Sequence, residues 1–118
     1  MNFNHSAKAQ EYLNKAQNFI NKEIAPIEAG VHRERQQSSD PWVSHPILDE
    51  LKAKAKDQGL WNLFMPDSRY GAGLTNLEYA PIAEITGPSN LAQEVFNCNA
   101  PDTGNMEVLA KYGTDAQK

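Results

Sequence analysis

Residues 96–118 read FNCNAPDTGNMEVLAKYGTDAQK, and within them Asp102-Thr103-Gly104 is the triplet with which aspartic proteases present a catalytic carboxylate. The choice of reading decides the fold class. A protease triplet sits on a turn between apolar strands, where two such aspartates share one proton because like charges so close cannot both ionise. Here the triplet follows Pro101 and precedes a helical stretch through Met106, Val108, Leu109 and Tyr112 to Gly113. The helical reading predicts that Asp102 or Thr103 caps a helix beginning near Asn105, and that Gly104 gives the backbone room. Thr114 would then cap a further helix opened by Asp115 and Ala116, so the sequence reads as ending inside an element.

Upstream, Thr75-Asn76-Leu77-Glu78 has the form of a capping box, in which a hydroxyl and a carboxylate satisfy each other's orphan amides. It opens a helix through Tyr79, Ile82, Ala83 and Ile85 to Gly87, with Pro81 tolerated in the first turns. Before it, LWNLFMPDSRYGAGL is a weakly polar connection that should thread between helices with its aromatics inward. A stripe of Ile47, Leu48, Leu51, Ala55 and Leu60 predicts a helix after Pro46, with Gly59 as its left-handed terminus and Lys52, Lys54 and Lys56 on a solvated face. Another stripe of Ala9, Tyr12, Leu13, Ala16, Phe19, Ile20 and Ile24 predicts a helix capped by Ser6 and ended or kinked at Pro26. A second helical stretch follows from Pro26 to about Arg35, then the loop QQSSDPW, and later a short helix from Ser89 to about Asn97. The fold class is all-α, a bundle of five or six helices without a convincing strand.

The 118 residues, 40% of them apolar, suffice for one core without repeats or low-complexity tracts. Eleven Lys and Arg stand against 15 Asp and Glu, and residues 61–118 hold three against seven, an acidic half that disfavours a nucleic-acid backbone as partner. No apolar run reaches the roughly 20 residues of a membrane span, and no targeting segment is visible at the N-terminus. The expectation is a soluble, intracellular chain, of a bacterial cytoplasm or an organelle matrix. Cys98 is the single cysteine, which fits a reducing compartment and reads as a small buried hydrophobe.

Motif chemistry names no reaction. His5, His32 and His45 lie in separate segments without the i, i+4 pairing of a helical metal site, so no metal is expected. Tyr70-Gly71-Ala72-Gly73 follows no strand and no Lys-Ser/Thr pair comes after it, so its glycines read as turn residues rather than a phosphate cradle. Glu78, Glu84, Glu94 and Glu107 have no visible activating partner and read as solvated helix faces.

Three stretches, FINKEIAPIE, GLWNLFMPDSRYGAGLTNLEYAPIAEITG and NMEVLAKYGTDAQK, together resemble the N-terminal helical domain of the acyl-CoA dehydrogenases. The similarity runs from about Ser6 to Lys118, so residues 1–118 are read as that one domain, and VFNCNAPDTGNMEVL is similar to the branch that in animals can carry a phosphotransferase-like domain. The extra Ser68-Arg69 departs from the common pattern and is expected to lengthen a surface loop.

The resemblance implies a three-domain enzyme assembled as a homo-oligomer around FAD. In that family a glutamate of a C-terminal bundle removes the α-proton of an acyl-CoA substrate while the β-hydride passes to flavin N5, and the electrons leave to an electron-transferring flavoprotein. Base and main flavin contacts lie outside such an N-terminal domain, so no catalytic residue is assigned here, and these 118 residues alone are expected to neither retain FAD nor oxidise acyl-CoA. The share implied for this segment is one wall of the acyl tunnel, with Phe96, Asn97, Ala100 and Gly104 facing it and Pro101 and Asp102 shaping it. The alternative is a free-standing helical binding module that kept the fold without the chemistry. Alone, the chain is expected to be marginally stable, with apolar faces such as LWNLFM left exposed.

Overall fold

The computed structural model describes residues 4–40 and 42–118. Among them there is no strand, and six α-helices run in the order α1 (Ala7–Phe19), α2 (Ala25–Gln37), α3 (Ile47–Asp57), α4 (Asn76–Thr86), α5 (Ala92–Val95) and α6 (Asp102–Tyr112). The protease reading of Asp102-Thr103-Gly104 therefore fails on fold: the triplet is the first turn of α6. Pro41 of the QQSSDPW loop lies outside the described residues.

α1 starts where its hydroxyl predicts, with the Ala9 amide donating to Ser6 Oγ at 3.1 Å. Pro26 neither ends this rod nor leaves it unchanged. Residues Ile20–Ile24 widen into a π-helical turn, and the Ala25 amide reaches back five residues to the Ile20 carbonyl. The wider turn gives the proline ring room that a regular α turn would deny it, and α2 resumes with Pro26 in its first turn. The turn also keeps Ile20 and Ile24 in the core beside Phe19.

α3 ends as the glycine predicts. Gly59 takes φ +72°, its amide bonds to Lys56 O at 3.0 Å, and the Leu60 amide bonds to Ala55 O at 2.8 Å, so the chain turns back with Leu60 fully buried. The lysines of α3 are less solvated than their spacing suggests. Lys52 Nζ lies 3.0 Å from Glu94 of α5, Lys54 Nζ 2.9 Å from Glu23 of the π turn, and Lys56 Nζ 4.1 Å above the Trp61 ring. Lys54 also pairs with Glu50 of α3 itself at 2.9 Å, and Lys56 remains exposed.

LWNLFM threads through the interior as expected of the connection: Leu60, Leu63, Phe64 and Met65 are buried, so the run is not also an exposed apolar face. Exposure falls instead on Trp42 and Val43 in the 38–46 loop and on Val108, Leu109 and Tyr112 of α6. α5 is shorter than expected, a single turn whose entry is held by Ser89 Oγ accepting from the Leu91 and Ala92 amides, while Glu28 of α2 accepts from Ser89 Oγ and the Asn90 amide. Thr114 opens only a turn, not the helix expected: its amide donates to Gln117 Oε1 at 2.9 Å and its carbonyl accepts from the Lys118 amide at 3.2 Å.

α4 carries the capping box in full: the Glu78 amide donates to Thr75 Oγ1 and the Thr75 amide to Glu78 Oε2 at 2.9 Å. Pro81 sits deeper in the helix than the first turn, so the Leu77 carbonyl lacks its intrahelical donor. Glu78 does more than cap, because Ser6 Oγ donates to its Oε1 at 2.6 Å and thereby joins the start of α1 to the start of α4. The Ser6 bond, then the bonds from Thr75, hold the Glu78 carboxyl below its ordinary value of 4.5. A lowered folded-state value means that this clasp contributes fully above the ordinary value and is lost as pH falls through the lowered one. Urea unfolding should show Thr75→Ala less stable by about 1 kcal/mol. The stability gap between the parent and Glu78→Gln should be widest near neutrality and close progressively as pH falls below about 4.5; a gap independent of pH would show that the carboxylate form is not what the clasp uses.

Candidate functional site

The turn between α5 and α6 sets the candidate wall. Asn97 adopts φ +55°, a left-handed conformation that asparagine tolerates better than most side chains, and the chain leaves α5 there. Four of the six residues named from the sequence then come out together. Ala100, Pro101, Asp102 and Gly104 are all exposed along one edge, with the Ala100–Pro101 peptide cis.

The other two lie behind that edge. Phe96 is 0% exposed and packs edge-on against Phe19 with ring centroids 5.5 Å apart, so its side chain belongs to the core and backs the wall without facing outward. Asn97 is half-buried, its Nδ2 donating to Asn62 Oδ1 at 2.7 Å and lying 3.3 Å from Met106 Sδ. Neither Asp102 nor Thr103 caps α6: the helix begins at Asp102 itself, behind Pro101, without a side-chain cap bond. Gly104 is not required by crowding either, because a Cβ there would meet nothing within 4 Å.

α6 is the one helix among those described with no fully buried residue. Met106 and Ala110 pack partly against the core, and Leu109 joins them with Asn62, Met65, Tyr70, Gln117 and Lys118 to line a groove of about 150 Å³. A wider cleft of about 580 Å³ adjoins it, lined by Pro66, Asp67, Arg69, Glu107 and Lys111 among others. In its wall Arg69 folds back locally: its Nη2 lies 2.6 Å from Asp67 Oδ2, and the guanidinium lowers the Asp67 carboxyl to about 2. The groove is thus apolar at one end and charged at the other.

Sequence reading missed Asn62, which stands at the centre of this region. Its φ is +53°, its amide donates to Phe96 O at 3.0 Å, and its Nδ2 donates to Tyr70 O at 2.8 Å. The available signal was a lone amide side chain inside the apolar run LWNLFM. Gly71 belongs to the same knot, since a Cβ there would come 2.4 Å from Asn62 O and 2.8 Å from Met65 Cβ.

Cys98 is buried, and burial pushes its thiol above its ordinary value, which makes it inert packing. Tyr79 is raised for the same reason. His5 and His32 are exposed and His45 pairs with Glu34 at 2.8 Å; no group of three metal-ligating side chains occurs among the described residues. No helix there is long and apolar enough to cross a membrane.

A family profile described as "Acyl-CoA dehydrogenase, N-terminal domain" matches residues 6–118. This chain belongs to the acyl-CoA dehydrogenase family. It is 51% identical to mouse acyl-CoA dehydrogenase family member 10 over 105 residues, covering 85% of this chain and 10% of that protein. It is 45% identical to human acyl-CoA dehydrogenase family member 11 over 119 residues, covering 98% of this chain and 15% of that protein. These two animal proteins agree with the branch that VFNCNAPDTGNMEVL resembles. A solved structure described as an acyl-CoA dehydrogenase from Mycobacterium abscessus superposes with a TM-score of 0.90 at 47% identity, covering 98% of this chain and 30% of that one. The chain thus spans less than a third of the length of each of these relatives.

The family implies FAD, and the described residues do not fit it. The glycine loop that could receive a phosphate is filled by the chain's own atoms at Gly71, while a Cβ at Gly73 would lie 3.2 Å from Ser68. Every buried side-chain polar atom among the described residues has a partner within the chain, so no buried polar side chain is left unpaired to receive a flavin.

The two glycines of the site should respond oppositely to an added methyl group. Gly71→Ala forces the backbone of Asn62 or Met65 to move and should cost about 1–3 kcal/mol. Gly104→Ala lies inside a helix with free space around it and should stabilise by roughly 0.5–1 kcal/mol. Chemical denaturation of the two variants beside the parent checks the signs, and a destabilising Gly104→Ala would mean that α6 is packed more tightly at its start than the geometry indicates.

Proposed function

We propose that this chain is the N-terminal part of a FAD-dependent acyl-CoA dehydrogenase, which catalyses α,β-dehydrogenation of an acyl-CoA thioester, and that it supplies one wall of the acyl tunnel. The observation that carries the reading is the exposed edge of Ala100, Pro101, Asp102 and Gly104 running into α6, a helix that keeps Val108, Leu109 and Tyr112 in solvent. An apolar face of that kind is suited to being covered, by an acyl chain at its start and by protein further along. The family match over residues 6–118 supports it.

In this reading the work of these residues is steric and dielectric. Ala100 and Gly104, with a methyl group and no side chain, leave depth for an alkyl chain, and Pro101 fixes the backbone between them. Phe96 backs the wall from the core, where its contact with Phe19 resists displacement. Excluding water along this face favours burial of the alkyl chain by about 0.8 kcal/mol per methylene. Flavin, the catalytic glutamate, homo-oligomeric assembly and electron transfer to an electron-transferring flavoprotein belong to the same proposal, and the residues for them lie outside those described here.

Ala100→Leu in the full-length protein should shorten the accepted acyl chain. Excluding two or three methylenes should lower kcat/KM for long substrates by an order of magnitude or more while short ones change little. Because Ala100 is exposed, the substitution overpacks nothing within the chain and the melting temperature should hold. Equal losses across an acyl-CoA length series would remove Ala100 from the wall. A protein without turnover of any acyl-CoA would favour a helical binding module instead.

A further inference from the structure

Asn62 and Asn97 are the only described residues other than glycine with positive φ, at +53° and +55°. They come from segments 35 residues apart, and each is bonded to the other: Asn97 Nδ2 donates to Asn62 Oδ1 at 2.7 Å, and the Asn62 amide donates to the carbonyl of Phe96, next to Asn97, at 3.0 Å. Left-handed backbone at a residue with a side chain is unfavourable and persists where the surroundings over-determine it, and such residues cluster at sites whose geometry matters. Here the surroundings are identifiable. Asn62 also donates from Nδ2 to Tyr70 O at 2.8 Å and accepts at its carbonyl from the Met65 amide at 2.9 Å. Asn97 also reaches Met106 Sδ at 3.3 Å. Met65, Tyr70 and Met106 line the groove, so one pair of amides ties the 65–70 segment to α6, while Gln117 and Lys118 complete the lining.

We propose that the Asn62–Asn97 pair is a positioning device that sets acyl-chain selection, by fixing the start of α6 against the Met65–Tyr70 segment and so fixing the depth of the wall. This rests on the reading of the wall as acyl-binding. The pair touches no reacting atom; it acts through the placement of Ala100 and Gly104 three and seven positions beyond Asn97. Without the bond, the α5–α6 turn and the glycine loop shift relative to each other, and the wall accommodates chains that it otherwise rejects.

Glycine separates the bond from the backbone, since it accepts positive φ without a side chain. In the full-length protein, Asn97→Gly and Asn62→Gly should each flatten the chain-length profile, lowering the kcat/KM ratio between preferred and disfavoured acyl-CoA lengths on the order of tenfold. Cooperative melting should be retained in both. Each single also removes a bond of its own, Asn62 to Tyr70 O or Asn97 to Met106 Sδ, so the double variant should be flatter than either single but by less than the sum of the two, because the Asn62–Asn97 bond is shared. Profiles that keep their shape while all lengths lose alike overturn the proposal and leave the pair as packing, as do losses that add in the double variant. If one variant fails to fold, the other single variant decides by its profile alone. A parent protein that turns over no acyl-CoA overturns the wall reading itself, a failure that the variants' profiles cannot imitate.

Discussion

The segment Leu60–Met65 passes through the interior without being a helix or a strand, and the bundle is arranged around making that tolerable. Buried irregular backbone leaves amides and carbonyls without the partners that regular structure supplies, at a cost of about 1–3 kcal/mol for each group left unpaired. Asn62 resolves this. Its left-handed turn sends Leu63, Phe64 and Met65 into the core, and its own polar groups reach Phe96, Met65, Tyr70 and Asn97. The Schellman turn at Gly59 delivers the chain to this point, and Gly71 lets the return strand of the loop lie against it.

Around that segment the helices are joined mostly by polar clasps at their ends. Ser6 and Glu78 hold α1 to α4, Glu28 holds α2 to the entry of α5, and Lys52 and Glu94 hold α3 to α5. Only Lys52–Glu94 is an ion pair and the other two are hydrogen bonds to Glu carboxylates; contacts of this kind contribute little individually, yet each links two elements at a defined point. Thr86 Oγ1, buried near the end of α4, both donates to Ala83 O and accepts from Gln93 Nε2 and so ties α4 to α5 in the same way. One side of the molecule is left out of this scheme. α6 is seated by Met106 and Ala110 and otherwise carries Val108, Leu109 and Tyr112 outward, beside the groove that Met106, Leu109 and Ala110 help to line.

Local signals in the sequence specified the helices and most of their ends. As caps, Ser6, the Thr75–Glu78 box and Gly59 each act within about one helical turn through backbone geometry and one or two hydrogen bonds, so the helix ends they set are legible locally, while the Ser6–Glu78 bond that joins two of them is tertiary. The apolar stripes of α1 and α3 are equally local, because helical period alone places them on one face. Family membership was also legible, carried by the LWNLFMP run, the capped helix and the KYGT ending in combination. What the sequence by itself could not decide were outcomes set by neighbours distant in the chain. Pro26 widened a helix instead of ending it, because Ile20 and Ile24 stay in a common core. Phe96 turned into the core and not outward, since hydrophobicity sets a wish for burial and only packing sets which apolar surface obtains it, whereas the inward threading of LWNLFM was legible from its low polarity. Asp102 and Thr103 entered a helix that their side chains favour capping, and the Asn62–Asn97 pair arose from two asparagines whose meeting depends on the bundle's closure across 35 residues.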